Sequence, residues 1–63
     1  MIVKGIVSSI DIENKTASVI LPEYNNVVTR PINSYRGDIG ELKVNDFVLL
    51  IVFNNDFNDC MIL

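Results

Sequence analysis

Histidine is absent from this 63-residue chain, and cysteine occurs once, at Cys60. Those two facts exclude an internal disulfide, a histidine-based metal site and the usual histidine-assisted thiol nucleophile. Ser8, Ser9, Ser18 and Ser34 likewise have no histidine to activate them. A phosphate-cradling loop is missing too, because Gly37-Asp38-Ile39-Gly40 has neither the spacing nor the lysine. Basic charge is scarce: Lys4, Lys15, Arg30, Arg36 and Lys43 stand singly, the net charge is −3 and the pI is about 4.5. No cluster can neutralise successive phosphates, and that electrostatic contribution dominates most nucleic-acid affinity. Lys4 is followed by no apolar segment and small-residue cleavage site of the signal-peptide kind. The longest apolar run falls well short of the ~20 residues that span a membrane as a helix, so no stable membrane insertion is expected. Neither an enzyme nor a bound metal or cofactor is expected.

Apolar residues, by contrast, are plentiful at 49%. A domain this short buries only about 60% of its unfolded surface, so part of that apolar content stays outside. Small scaffolds usually gain stability from disulfides, metals or association. Only association is open here, which predicts a homo-oligomer or a subunit of a larger assembly.

The strongest local signal is Phe47-Val48-Leu49-Leu50-Ile51-Val52-Phe53, entered through Asn45-Asp46 and left through Asn54-Asn55-Asp56. A short, unbroken run rich in β-branched and aromatic residues reads as a central strand covered on both faces. Residues 2–12 read as a first strand, with Ile2, Ile6, Ile10 and Ile12 on one parity and a bulge at Gly5 to move Lys4 outward. Glu13-Asn14-Lys15 predicts a hairpin turn with Asn14 tolerant of positive φ. Thr16–Leu21 follows, with Ala17, Val19 and Leu21 inward. Val27–Asn33 reads as a short third strand that Pro31 confines to an edge or an end. Ser34–Gly40 is a loop or a single turn, and Leu42 and Val44 point inward before the central strand. Cys60–Leu63 is the last strand. Five short strands with no helical period predict one all-β domain over residues 1–63, a small five-stranded OB-fold barrel.

Two stretches then resemble a known family. Gly5-Ile6-Val7 with Ile10-Asp11 and Ala17-Ser18-Val19-Ile20-Leu21-Pro22-Glu23-Tyr24-Asn25-Asn26-Val27-Val28-Thr29 form the first, and Val44-Asn45-Asp46-Phe47 through Leu63 the second. Together they resemble the OB domain of contractile phage-tail spikes, the baseplate assembly protein V family, and its relatives in type VI secretion and tailocins. Asn45 stands where the family often has glycine, a swap that a positive-φ turn tolerates, and Cys60 where it usually has a small residue. The resemblance implies a homotrimer on the tail axis that joins tail hub and tube proteins to a spike tip. It also implies synthesis in the bacterial cytoplasm and incorporation into a virion or tail-like particle. Longer members continue into a β-helical needle, so a chain ending at Leu63 is expected to be the OB hub alone, with the tip on another chain.

The remaining candidates have ordinary readings beside them. Asp11, Glu13, Asp56 and Asp59 flank turns, where aspartate serves more often as a turn former than as an acid–base pair. Cys60 in an apolar strand reads as a small buried hydrophobe. Tyr24, Tyr35 and Phe57 could stack bases with Arg30 and Arg36 on phosphates, which makes a single-stranded nucleic-acid module the rival function. In the central strand, one parity fills the barrel and the other forms an outward stripe. The expected interface is Val48, Leu50 and Val52 with Met61 and Leu63, and with Tyr24 and Tyr35 at its margins.

Overall fold

The computed structural model describes all 63 residues. Its strands are β1 (Ile2–Asp11), β2 (Thr16–Leu21), β3 (Val27–Val28), β4 (Ile32–Asn33), β5 (Phe47–Val52) and β6 (Cys60–Ile62), with a 3-10 turn at Pro22–Tyr24. The protein is all-β, with no α-helix. One curled antiparallel sheet runs β3-β2-β1-β5-β6, and β4 also pairs with β2. The middle of that path is β1 rather than the apolar β5, which lies second from the edge.

Gly5 explains why β1 can occupy the middle. A Cβ there would lie 2.2 Å from Val19 Cγ1 and 2.9 Å from Leu50 Cδ1, so only glycine fits under both neighbours. The expected bulge is displaced from this residue: register shifts between Val7 and Ser9, leaving Ser8 as the extra residue. Before it, Val3 and Val7 face the core; after it, Ile10 packs against the core and pairs with Ala17. The extra residue lets Val7 and Ile10 share a side, which strict alternation forbids.

The expected third strand is two short pieces, because Pro31 offers no N–H and Thr29–Pro31 leave the ladder. Thr29 bridges the break. Its N–H donates to the Val19 carbonyl at 2.8 Å, and its Oγ1 accepts the Val19 N–H at 3.0 Å. A hydroxyl thus replaces the missing backbone acceptor for a buried donor. Past β4, Ser34 forms a parallel bridge to Ile62, and the Tyr35 N–H donates to the Ile62 carbonyl at 2.6 Å. The last strand therefore returns to the segment after β4, and the sheet curls round a core that includes Val7, Val19, Leu21, Leu50 and Ile62.

Turns are built largely on asparagine. Asn25, Asn26, Asn45, Asn54 and Asn55 all have positive φ, the left-handed region asparagine tolerates best after glycine. Asn45 meets its expectation, whereas in the first hairpin the positive φ falls on Lys15 instead of Asn14. Val44, expected inward, is 51% exposed. The turn that ejects it is closed by the Asp46 N–H to the Lys43 carbonyl at 3.0 Å and the Lys43 N–H to Asp46 Oδ2 at 2.9 Å. Leu42 packs against the core as expected, and Ile39, from the irregular loop, is buried beside it.

Replacing Thr29 with valine keeps the shape and orphans the Val19 N–H. Chemical denaturation should show a loss of about 1–3 kcal/mol, while Thr29→Ser stays close to wild type; equal stability of all three proteins would refute the bridging role.

Candidate functional site

Register fixes what the outside of the sheet carries. In β1 and β5, Ile2 pairs with Ile51, Lys4 with Leu49 and Ile6 with Phe47, while Val3–Leu50 and Gly5–Val48 alternate with them. Val3 and Leu50 are core residues, so the first set of pairs faces out. Three further pairings extend it: Ile6 to Ile20 and Ile20 to Val28 on one side, and Ile51 to Met61 on the other. The outer face is thus an apolar ladder across five strands, interrupted by one charge, Lys4.

Exposure along the ladder is high where it matters. Phe47 is 81% exposed, Ile2 and Val28 are 53% each, and Leu49 is 49%. Phenylalanine projecting from the outer face at the start of β5, paired with Ile6 on one side and with no β6 residue on the other, forfeits most of its burial free energy in the isolated chain. Beside its ring, Lys4, Gly5, Ile6, Pro22 and Glu23 line a shallow hollow of about 240 Å³.

This arrangement corrects the sequence-derived interface. Leu50 and Val52 are not outward; at 0% and 3% exposure they are core residues, and Val48 packs against the core beside them. The reason is Lys4. A lysine on the parity of Ile2 and Ile6 must face water, and pairing then carries Leu49, Ile51 and Phe47 outward with it. Met61 is half-buried on the ladder, and Leu63 is exposed at its end, where its N–H donates to the Leu49 carbonyl at 2.9 Å. Tyr24 lies elsewhere, its ring tilted on Phe57 at 4.8 Å between centroids and its hydroxyl 3.7 Å from Met1 Sδ. Tyr35 is exposed in the segment after β4. The structure brings Met61 and Leu63 to the surface ladder and leaves both tyrosines off it. Phe47, Leu49, Ile51, Ile2, Ile6, Ile20 and Val28 are the members that the sequence reading did not name.

The polar candidates are occupied by turn chemistry. Asp11 Oδ1 accepts the Asn14 N–H at 3.1 Å and Oδ2 accepts Asn14 Nδ2 at 2.8 Å. The Asn14 side-chain bond, followed by its backbone bond, holds the Asp11 carboxyl below the ordinary aspartate range. Asp56 Oδ1 accepts the Asn58 N–H at 2.9 Å. No group of three or more histidine, cysteine, aspartate or glutamate side chains converges on a point. Cys60 is buried, and its Sγ donates to the Phe57 carbonyl at 3.3 Å. Burial first, then nearby Asp59, pushes its thiol above the ordinary range, against a smaller opposing effect of Arg30. A protonated, enclosed thiol is not a nucleophile. Arg30 and Arg36 stand in connecting segments, Arg30 between β3 and β4 and Arg36 after β4. No helix is long and apolar enough to cross a membrane. No protein-family model, curated protein or solved structure matches this chain.

Two measurements check this geometry. Leu50→Asp should abolish cooperative folding, since it places an unpaired charge in the core, whereas Leu49→Asp should leave the fold intact by circular dichroism. The reverse ranking would place the other parity inside. For Asp11, the hydrogen bonds favour the charged form, so their stabilisation is present at neutral pH and disappears as pH falls through the lowered value. Its carboxyl carbon shift should titrate below the ordinary aspartate midpoint, and Asn14→Ala should return it upward; no movement in the variant would refute the assignment.

Proposed function

We propose that this protein is a structural subunit, an OB-type barrel that works by associating with further copies through the outer face of β1 and β5. The observation that carries the reading is Phe47, 81% exposed at the start of β5, where it ends the apolar row Val28–Ile20–Ile6–Phe47. A contiguous apolar face of this kind marks a protein interface in a stable soluble domain. At about 25 cal/mol per Å², covering ~600 Å² per copy is worth roughly 15 kcal/mol before the costs of association. Such a contribution offsets the small core of a short chain without metal or disulfide.

The OB-type assignment is supported by the connectivity. Counting β3 and β4 as one strand interrupted at Pro31, five strands curl so that the last returns to the third through Ser34 and Ile62. That connectivity supports a small, partly open Greek-key barrel. The finer setting follows the sequence resemblance: a homotrimer in the axial spike or hub region of a contractile phage tail or tail-like particle. In that setting the subunit is mechanical. It forms a rigid plug, and loops 22–26 and 34–40, with Tyr24 and Tyr35, meet the hub and tip proteins at the barrel ends.

Light scattering across a concentration series tests the reading. A species of three times 7.1 kDa, persisting at micromolar concentration, is the expected result. A monomer at every concentration that binds a labelled oligonucleotide at low salt would replace the structural role with the nucleic-acid one.

A further inference from the structure

We infer that the occupant of the hollow beside Phe47 is the Phe47 ring of a second copy of this chain, locked there by an ion pair between Lys4 of one copy and Glu23 of the other. The inference deepens the self-association reading and rests on it. Three features of the surface support it.

The first is the pairing of a knob with a recess. Phe47 is 81% exposed and forms one wall of the hollow, which Pro22, Ile6 and the bare backbone of Gly5 also line. An exposed aromatic anchor next to a recess is the arrangement that concentrates binding free energy in protein interfaces. Both parts belong to one patch, so every copy brings a ring and a place to receive one.

Charge comes second. Lys4 and Glu23 line the same hollow, one of each sign. The remaining carboxylates sit at the end of β1 or in connecting segments: Asp11, Glu13, Asp38, Glu41, Asp46, Asp56 and Asp59. The hollow itself therefore carries one charge of each sign and is self-complementary, although the chain carries −3 overall. A strongly acidic or basic partner would meet one of the two charges with its own sign, whereas neighbouring copies of this chain, each placing its Lys4 against the Glu23 of the next, satisfy both. Desolvated beside an aromatic ring, such a pair adds register and selectivity beyond what area alone gives.

Area is the third. A stable interface covers about 800 Å² per partner. The chain exposes 4336 Å² in total, so one such contact would take up a little under a fifth of its surface. The β1–β5 ladder, running through Ile2, Leu49 and Phe47 to Val28, is the continuous apolar face on which a contact of that size can form.

The test is a charge-exchange cycle with an anchor variant, read as the midpoint of dissociation by sedimentation velocity at low and moderate salt. Each variant is first confirmed as folded by its melting transition. Phe47→Ser should raise the dissociation midpoint by ~30-fold or more, the scale of a hot-spot residue. Lys4→Glu and Glu23→Lys should each weaken association by ~10-fold, and the double exchange should restore it. Wild-type oligomers indifferent to Phe47→Ser, or a double exchange no better than the single ones, would overturn this docking geometry while leaving self-association standing. A wild-type protein that is monomeric throughout would overturn both.

Discussion

The close approach of Gly5 to Val19 and Leu50 is the constraint on which the remaining structure depends. β1 is the only strand that pairs along its length with both β2 and β5, and at Gly5 the neighbours' side chains meet beneath it. With glycine fixed inward, Val3 and Val7 must also face the core, and Ile2, Lys4 and Ile6 must face out. Antiparallel pairing transmits that choice. Because residues directly opposite lie on one face of the sheet, Gly5 opposite Val48 sets Leu49 and Phe47 outward. The missing side chain of Gly5, which must face in, and the charge of Lys4 beside it, which must face out, together decide which half of an all-apolar strand becomes surface.

That decision couples stability to assembly. The inward half of β5, with Val7, Val19 and Leu21, supplies a core of small volume. Polar groups inside it are satisfied, including the Val19 N–H, and no buried side-chain nitrogen or oxygen lacks a partner. The outward half is apolar where an ordinary edge-protected sheet would be charged. Lysine at position 4 and glutamate at position 23 are the polar punctuation on that face, enough to specify how a partner sits without making the face hydrophilic.

Much of this was legible in the sequence, and the failures have one origin. Strand positions, the asparagine turn at Asn45, the inward residues of β2 and the buried Cys60 followed from alternation, turn chemistry and hydropathy. The parity of β5 did not, since seven apolar residues in succession carry no period. The deciding signal lay in a different strand: Lys4 has to face water, and pairing carries that choice to Leu49. Assigning the bulge to Gly5 instead of Ser8 concealed it, because the glycine served close packing and the serine served the register shift. The broken third strand was hidden similarly. Pro31 announced an interruption, but the repair by Thr29 depends on a contact with Val19 ten residues away, which no local pattern records.

The account turns on Phe47 being covered by another copy. Hydroxyl-radical footprinting, read by mass spectrometry over a range of protein concentrations, measures that coverage directly at individual side chains. The account predicts that Phe47, Leu49 and Met61 become protected as concentration rises, while Tyr35 reacts equally throughout. Phe47 remaining as reactive at high concentration as at low would contradict it.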